Sequence, residues 1–81
     1  MRIQVCYFAA LREAVGRPAE VLDIPAGARL ADLARLLEAR HPAIVAHRHG
    51  LRYAVAQRFA EPDTPLAEGV EVALIPPVSG G

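Results

Sequence analysis

Only one stretch of the chain, Leu30 to Pro42, carries a sustained helical period, and this limits the possible folds sharply. In "LADLARLLEARHP" the apolar residues Leu30, Leu33, Ala34 and Leu37 recur three and four apart, with Asp32, Arg35 and Glu38 on the other side. Pro42 forbids continuation of the helix. Its usual start signal is missing, because Arg29 stands where Ser, Thr or Asp would cap. A single amphipathic helix has one apolar stripe to bury, and the rest of the chain must supply the surface that covers it.

That surface reads as a sheet. In "RIQVCYF" Ile3, Val5 and Tyr7 share one face and Gln4, Cys6 and Phe8 the other, which predicts a strand with the first set in the core. "AALREAV" predicts a short helix with Leu11 and Val15 four apart and Gly16 as its stop. "AEVLDIP" predicts a second strand ended by Pro25. A histidine-bearing loop, "AIVAHRHG", leads into "LRYAVAQRF", a third strand running into a fourth. Turn chemistry follows in "AEPDTPLAEG". "VEVALI" predicts a closing strand with Val70, Val72 and Leu74 on one face and Glu71, Ala73 and Ile75 on the other. The order strand, strand, helix, strands describes an α+β domain, one helix packed across a small mixed sheet.

At 81 residues there is room for one core only. A chain of this size buries about 60% of the surface its unfolded form exposes, so modest stability is expected. Cys6 is the only cysteine, which excludes an internal disulfide and suggests a reducing, cytoplasmic setting; nothing resembles a signal peptide. No apolar run approaches the roughly 20 residues needed to cross a bilayer. Nine arginines and nine carboxylates are interspersed to a formal net charge of zero, so neither a nucleic-acid partner nor a charged surface is indicated. Lysine and asparagine are absent altogether, and a GC-rich coding bias accounts for both.

The ending "ALIPPVSGG" is the unusual part. Pro76 and Pro77 lock their backbone angles and resist joining the sheet, so the chain is expected to leave the last strand extended. The domain is assigned to residues 1–76 and an extended tail to residues 77–81, which reach roughly 16 Å at about 3.3 Å each. Gly80 and Gly81 lack side chains, so the terminal carboxylate fits a channel too narrow for other residues. A frayed end calls for neither the prolines nor the glycines. The carboxylate is ionised at neutral pH and is a poor electrophile until activated, most simply by ATP as an acyl-adenylate. The chain holds no phosphate-binding loop, so the activating site belongs to another protein.

"FAALRE" at Phe8 to Glu13, "AVAQ" at Ala54 to Gln57 and "LAEGVEVALIPPVSGG" at Leu66 to Gly81 resemble the small-subunit family of molybdopterin synthase over essentially the whole chain. The resemblance implies the ubiquitin-like β-grasp fold and no enzymatic activity for the chain alone. It implies that Gly81 is adenylated by a ubiquitin-activating-type adenylyltransferase, which consumes the ATP, and converted to a thiocarboxylate with sulfur from a donor. Val78, Ser79 and Gly80 then occupy a channel in the large synthase subunit, within a heterotetramer, where the sulfur passes to cyclic pyranopterin monophosphate to build the molybdopterin dithiolene. No stably bound cofactor is expected. The same ending serves related carriers for thiamine, cysteine or tRNA thiolation, and also ubiquitin-like modifiers joined to lysines of other proteins.

Phe8 and Ile75 fall opposite the core sets of their strands, and Phe59 lies where the family presents another apolar side chain. The three are expected to form a partner-docking patch beside the tail, with Phe59 equally suited to completing the core. Two positions depart from the family pattern: Ala56 where asparagine is usual, and Val70 where an acidic residue commonly follows the turn glycine. His41, His47 and His49 lack further ligands at a metal-binding spacing and are read as solvated loop residues, with no metal expected. Cys6, mid-strand and without an activating neighbour, is read as a packing residue.

Overall fold

A computed structural model describes residues 1–77, and the expectations for Val78, Ser79, Gly80 and Gly81 lie outside the described residues. The alternating runs become β1 (Arg2–Tyr7), β2 (Ala19–Asp23), β3 (Arg52–Val55), β4 (Arg58–Phe59) and β5 (Glu71–Ile75). The helical segments become α1 (Ala9–Val15) and α2 (Leu30–Arg40). The sheet order is β2-β1-β5-β3-β4. β1 and β5 pair in parallel at the centre, while β1–β2, β3–β5 and β3–β4 are antiparallel. This is the β-grasp arrangement.

The face assignments hold. Ile3, Val5, Tyr7, Val72 and Leu74 are buried in one cluster with Leu30, Leu33 and Leu37 of α2 and Leu11 of α1. α1 ends where Gly16 takes φ 87 and donates its N–H to the carbonyl of Arg12 at 2.9 Å. Helix α2 starts without help from the side chain of Arg29, a cation that cannot accept a backbone N–H. Asp32 reaches back instead, and its Oδ2 accepts the Arg29 N–H at 2.8 Å, the reciprocal half of a capping box. The Arg29 guanidinium donates to the Asp63 carbonyl at 2.6 Å, tying the helix start to the turn before β5.

The stretch read as a histidine-bearing loop is partly ordered as a 3₁₀ helix, Pro42–His47, which opens on proline and buries Ile44 completely. His41 does not belong with solvated histidines. Its ring stands edge-on to Tyr7 with centroids 5.9 Å apart, and its Nε2 donates to Glu20 Oε2 at 2.5 Å. His47 is half-buried and His49 exposed, and no group of metal-ligating side chains forms among the described residues.

Glu20 itself points to the core side of β2, opposite Val5, and only 4% of its side chain is exposed. Tyr7 donates its hydroxyl to Oε2 at 2.5 Å and Arg40 donates Nε to Oε1 at 3.0 Å, with the Arg17 guanidinium 3.7 Å away. The network joins β1, β2 and the end of α2. Burial pushes the carboxyl up, but the hydrogen bonds from Tyr7, His41 and Arg40 together outweigh it and hold Glu20 below its ordinary value.

The hairpin between β3 and β4 explains one departure from the family pattern. Val55 pairs with Arg58, leaving a two-residue loop in which Ala56 and Gln57 have φ 50 and 69. Both positions lie in the left-handed region, as a type I′ turn requires, and asparagine tolerates that region better than alanine. Val70 packs against the edge of the core and donates its N–H to the Ala67 carbonyl at 3.1 Å, so its side chain has an apolar use.

A carboxyl whose folded-state pKa is depressed contributes stability that is present above its unfolded value, near 4.3, and is lost as pH falls through the folded value. Glu20→Gln is therefore expected to destabilise the domain by about 1–3 kcal/mol at pH 7 and to flatten the loss of stability below about pH 4.5. Denaturant melts across pH check this, and a variant with the wild-type acid profile contradicts it.

Candidate functional site

The sheet's second face is not covered by α1 or α2. Strand register draws one line of residues across all five strands on that face. Ala19 pairs with Cys6, Cys6 with Ala73, Ala73 with Ala54, and Ala54 with Phe59. Four of the five are small, so the centre of the face is a shallow floor closed at one end by the Phe59 ring. Burial and the Glu71 charge push the Cys6 thiol up, which favours the inert thiol and the packing role expected for it.

A second line borders this floor on the side where the chain ends. Phe8 donates its backbone N–H to Leu74 at 3.3 Å, which places it beside Ile75, and Ile75 pairs with Arg52. The Arg52 guanidinium carbon lies 3.5 Å from the centroid of the Phe59 ring, a cation–π contact that holds the ring in place. Phe8 is 50% exposed and Phe59 56%, while Ile75 is half-buried. Phe8, Ile75 and Phe59 thus share the uncovered face, and Phe59 does not complete the core. Together with Ala54, Ala73, Gln57 and Glu71 they line a trough of about 330 Å³.

Two aromatic walls over an alanine floor form a surface suited to receiving apolar side chains of a partner. Its rim carries Arg52 and Glu71, one charge of each sign, which gives orientation without a strong net field. Arg52, Ala54 and Ala73 escaped the sequence reading of the site. The alternation in "RYAV" places Arg52 and Ala54 on the face of Ile75 and Phe59, so the signal was present, but small residues rarely advertise a surface.

A second groove of about 360 Å³ lies between α2 and β3–β4, bordered by Leu30, Ala34, Leu51, Tyr53 and Pro62. Burial pushes the Tyr53 phenol up to about 12, so it stays protonated at neutral pH and offers neither a base nor a nucleophile. Among the described residues no metal-ligating group appears.

The sequence profile of the ThiS family, described as "ThiS family", matches residues 5–81. The "Molybdopterin synthase sulfur carrier subunit" of Chlamydomonas reinhardtii is 37% identical over 83 residues, covering 100% of both chains. The human protein of the same description is 34% identical and covers 99% of this chain and 94% of its own length. Among solved structures, SAMP1 from Haloferax volcanii superposes with a TM-score of 0.88 at 26% identity, covering both chains fully. Subunit 1 in a complex of subunits 1 and 2 of molybdopterin-converting factor from Helicobacter pylori shares the fold, with a TM-score of 0.75 at 21% identity and full coverage of both chains.

Phe8→Asp and Phe59→Asp should each change stability by no more than about 0.5 kcal/mol, because neither side chain enters the core. Thermal melts of the two variants check the assignment of the face, and loss of the cooperative transition in either would place that ring in the core.

Proposed function

The chain belongs to the ThiS family, with molybdopterin synthase sulfur carrier subunits as full-length relatives, and from that membership we propose that it carries sulfur on its C-terminal glycine. The carboxylate of Gly81 attacks the α-phosphate of ATP in the active site of a ubiquitin-activating-type adenylyltransferase and releases pyrophosphate. A hydrosulfide equivalent from a sulfur donor then displaces AMP and leaves a thiocarboxylate. That group is an ionised, soft nucleophile at neutral pH. In the large synthase subunit its sulfur bonds to a carbon of cyclic pyranopterin monophosphate and displaces an oxygen of that substrate. Water then cleaves the acyl C–S bond of the resulting thioester, which leaves the sulfur on the pterin and returns the carboxylate. Two such transfers supply the two sulfurs of the dithiolene.

The observation that carries this reading is the juxtaposition of the last strand with an uncovered apolar face. β5 leads out beside Phe8, Ile75 and Phe59, so a partner that seats on the trough also receives the chain's end. Val78, Ser79 and Gly80 fill the partner's channel in this account. The large subunit and the adenylyltransferase use the same face, one after the other, and the synthase assembles as a heterotetramer around a dimer of large subunits. The protein works in the cytoplasm and holds no cofactor of its own; no helix among the described residues is long and apolar enough to cross a membrane.

One observation favours a second reading. The likeness to SAMP1, a small archaeal modifier protein, extends over the full length of both chains, so conjugation of Gly81 to lysines of other proteins is the competing use of the same terminus. Reconstitution separates the two. Thiocarboxylated protein mixed with the large subunit and cyclic pyranopterin monophosphate is expected to yield molybdopterin, and protein lacking Gly81 to yield none. Phe8→Asp is expected to weaken binding to the large subunit by about 1 kcal/mol or more while remaining folded. Failure to form molybdopterin, with isopeptide adducts appearing in cells, would replace the carrier reading by the modifier.

A further inference from the structure

Gly50 sits third in the turn Arg48–Leu51, with φ 77, and the turn closes through the Leu51 N–H donating to the Arg48 carbonyl at 3.1 Å. The positive φ alone would favour glycine. A second requirement acts on this residue. A Cβ added to Gly50 would stand 3.1 Å from Cγ of Pro77, 3.4 Å from its Cβ and 3.6 Å from its Cδ. Gly27, at φ 86, has open space where its Cβ would be. The bare α-carbon of Gly50 therefore makes room for a proline ring two residues past the last strand, on a segment otherwise exposed to solvent.

The turn that offers this seat is anchored from behind. Arg48 donates two hydrogen bonds to the Glu38 carboxylate of α2, at 3.0 and 2.6 Å. Leu51 packs against the core, and Arg52 beside it pairs with Ile75 of β5. The ring of Pro77 thus rests on a turn held by α2, by the core and by the sheet.

We propose that Gly50 is a positioning residue: its missing side chain forms a seat for Pro77 that sets the direction in which the chain leaves β5 and so aims the terminal carboxylate at the activating enzyme's ATP site. The proposal rests on the sulfur-carrier reading. Residues 78–81 span at most roughly 14 Å. A displacement of about 1 Å at a reacting group can cost up to roughly 100-fold in rate.

The test follows ATP-dependent thiocarboxylation by the activating enzyme, read by intact mass, for the wild-type protein, Gly50→Ala and Gly27→Ala. Gly27→Ala carries the same positive-φ strain without the contact to proline, so comparable losses of thermal stability are expected in the two variants. The KM for the carrier, set by the sheet face, should stay near wild type in both. The kcat should fall roughly ten-fold in Gly50→Ala alone. A Gly50→Ala kcat within about two-fold of Gly27→Ala overturns the proposal. Should Gly50→Ala lose its cooperative transition, Pro77→Ala takes its place. That variant removes Cγ and Cδ of Pro77, at 3.1 and 3.6 Å the nearest and third-nearest ring atoms, and a wild-type kcat there overturns the proposal equally. A wild-type protein left uncharged by an enzyme that charges a known carrier overturns the sulfur-carrier reading instead.

Discussion

The parallel pairing of β1 with β5 decides most of what this chain can be. A parallel pair needs a long crossover, and residues 8 to 70 are that crossover, with α1, α2 and the remaining three strands among its parts. The pairing stacks Val5 beside Val72 and Tyr7 beside Leu74, and α2 lays its leucines over them. It also puts the final strand in the middle of the sheet. The described chain therefore leaves the sheet from its centre, next to Phe8.

Much of this was legible because the signals were periodic. Alternation in "RIQVCYF" and "VEVALI" put the right residues in the core, and the leucine spacing of α2 marked the helix within its observed bounds. The exposed set of Phe8, Ile75 and Phe59 follows from the same alternation once the register is known. Non-periodic features stayed hidden. Glu20 shares a face with buried Leu22, which marks an odd carboxylate, but its partners Tyr7, Arg40 and His41 come from three separate places in the chain. The role of Asp32 at the start of α2 was missed because Arg29 looked like a failed cap. Ala56 looked like a departure from its family, and only the backbone angles show that it occupies a left-handed position of a tight hairpin. The Gly50–Pro77 contact joins residues 27 apart with no pattern to announce it.

The proposed carrier role requires that an activated terminal carboxyl group be kept from the chain's own nucleophiles. This chain has no lysine, and the α-amino group of Met1 donates to the Ile24 carbonyl at 2.6 Å, within the β1–β2 side of the sheet. The thiol of Cys6 lies in the floor of the uncovered face, where burial favours its protonated form. The amine and the thiol of the described residues are thus one hydrogen-bonded and the other held protonated, which suits a carrier whose terminus waits for an external sulfur nucleophile. The uncovered face is assembled mainly from alanines and two phenylalanines, and the Arg52 cation–π contact keeps Phe59 in place.

The proposed conversion of Gly81 to a thiocarboxylate is read directly by intact mass spectrometry. The protein is incubated with ATP, a sulfur donor and a ubiquitin-activating-type adenylyltransferase that charges a known carrier. Exchange of one oxygen for one sulfur, absent when ATP is omitted and absent from protein lacking Gly81, is the expected result. An unchanged mass for the full-length protein under conditions that charge the known carrier would contradict the account.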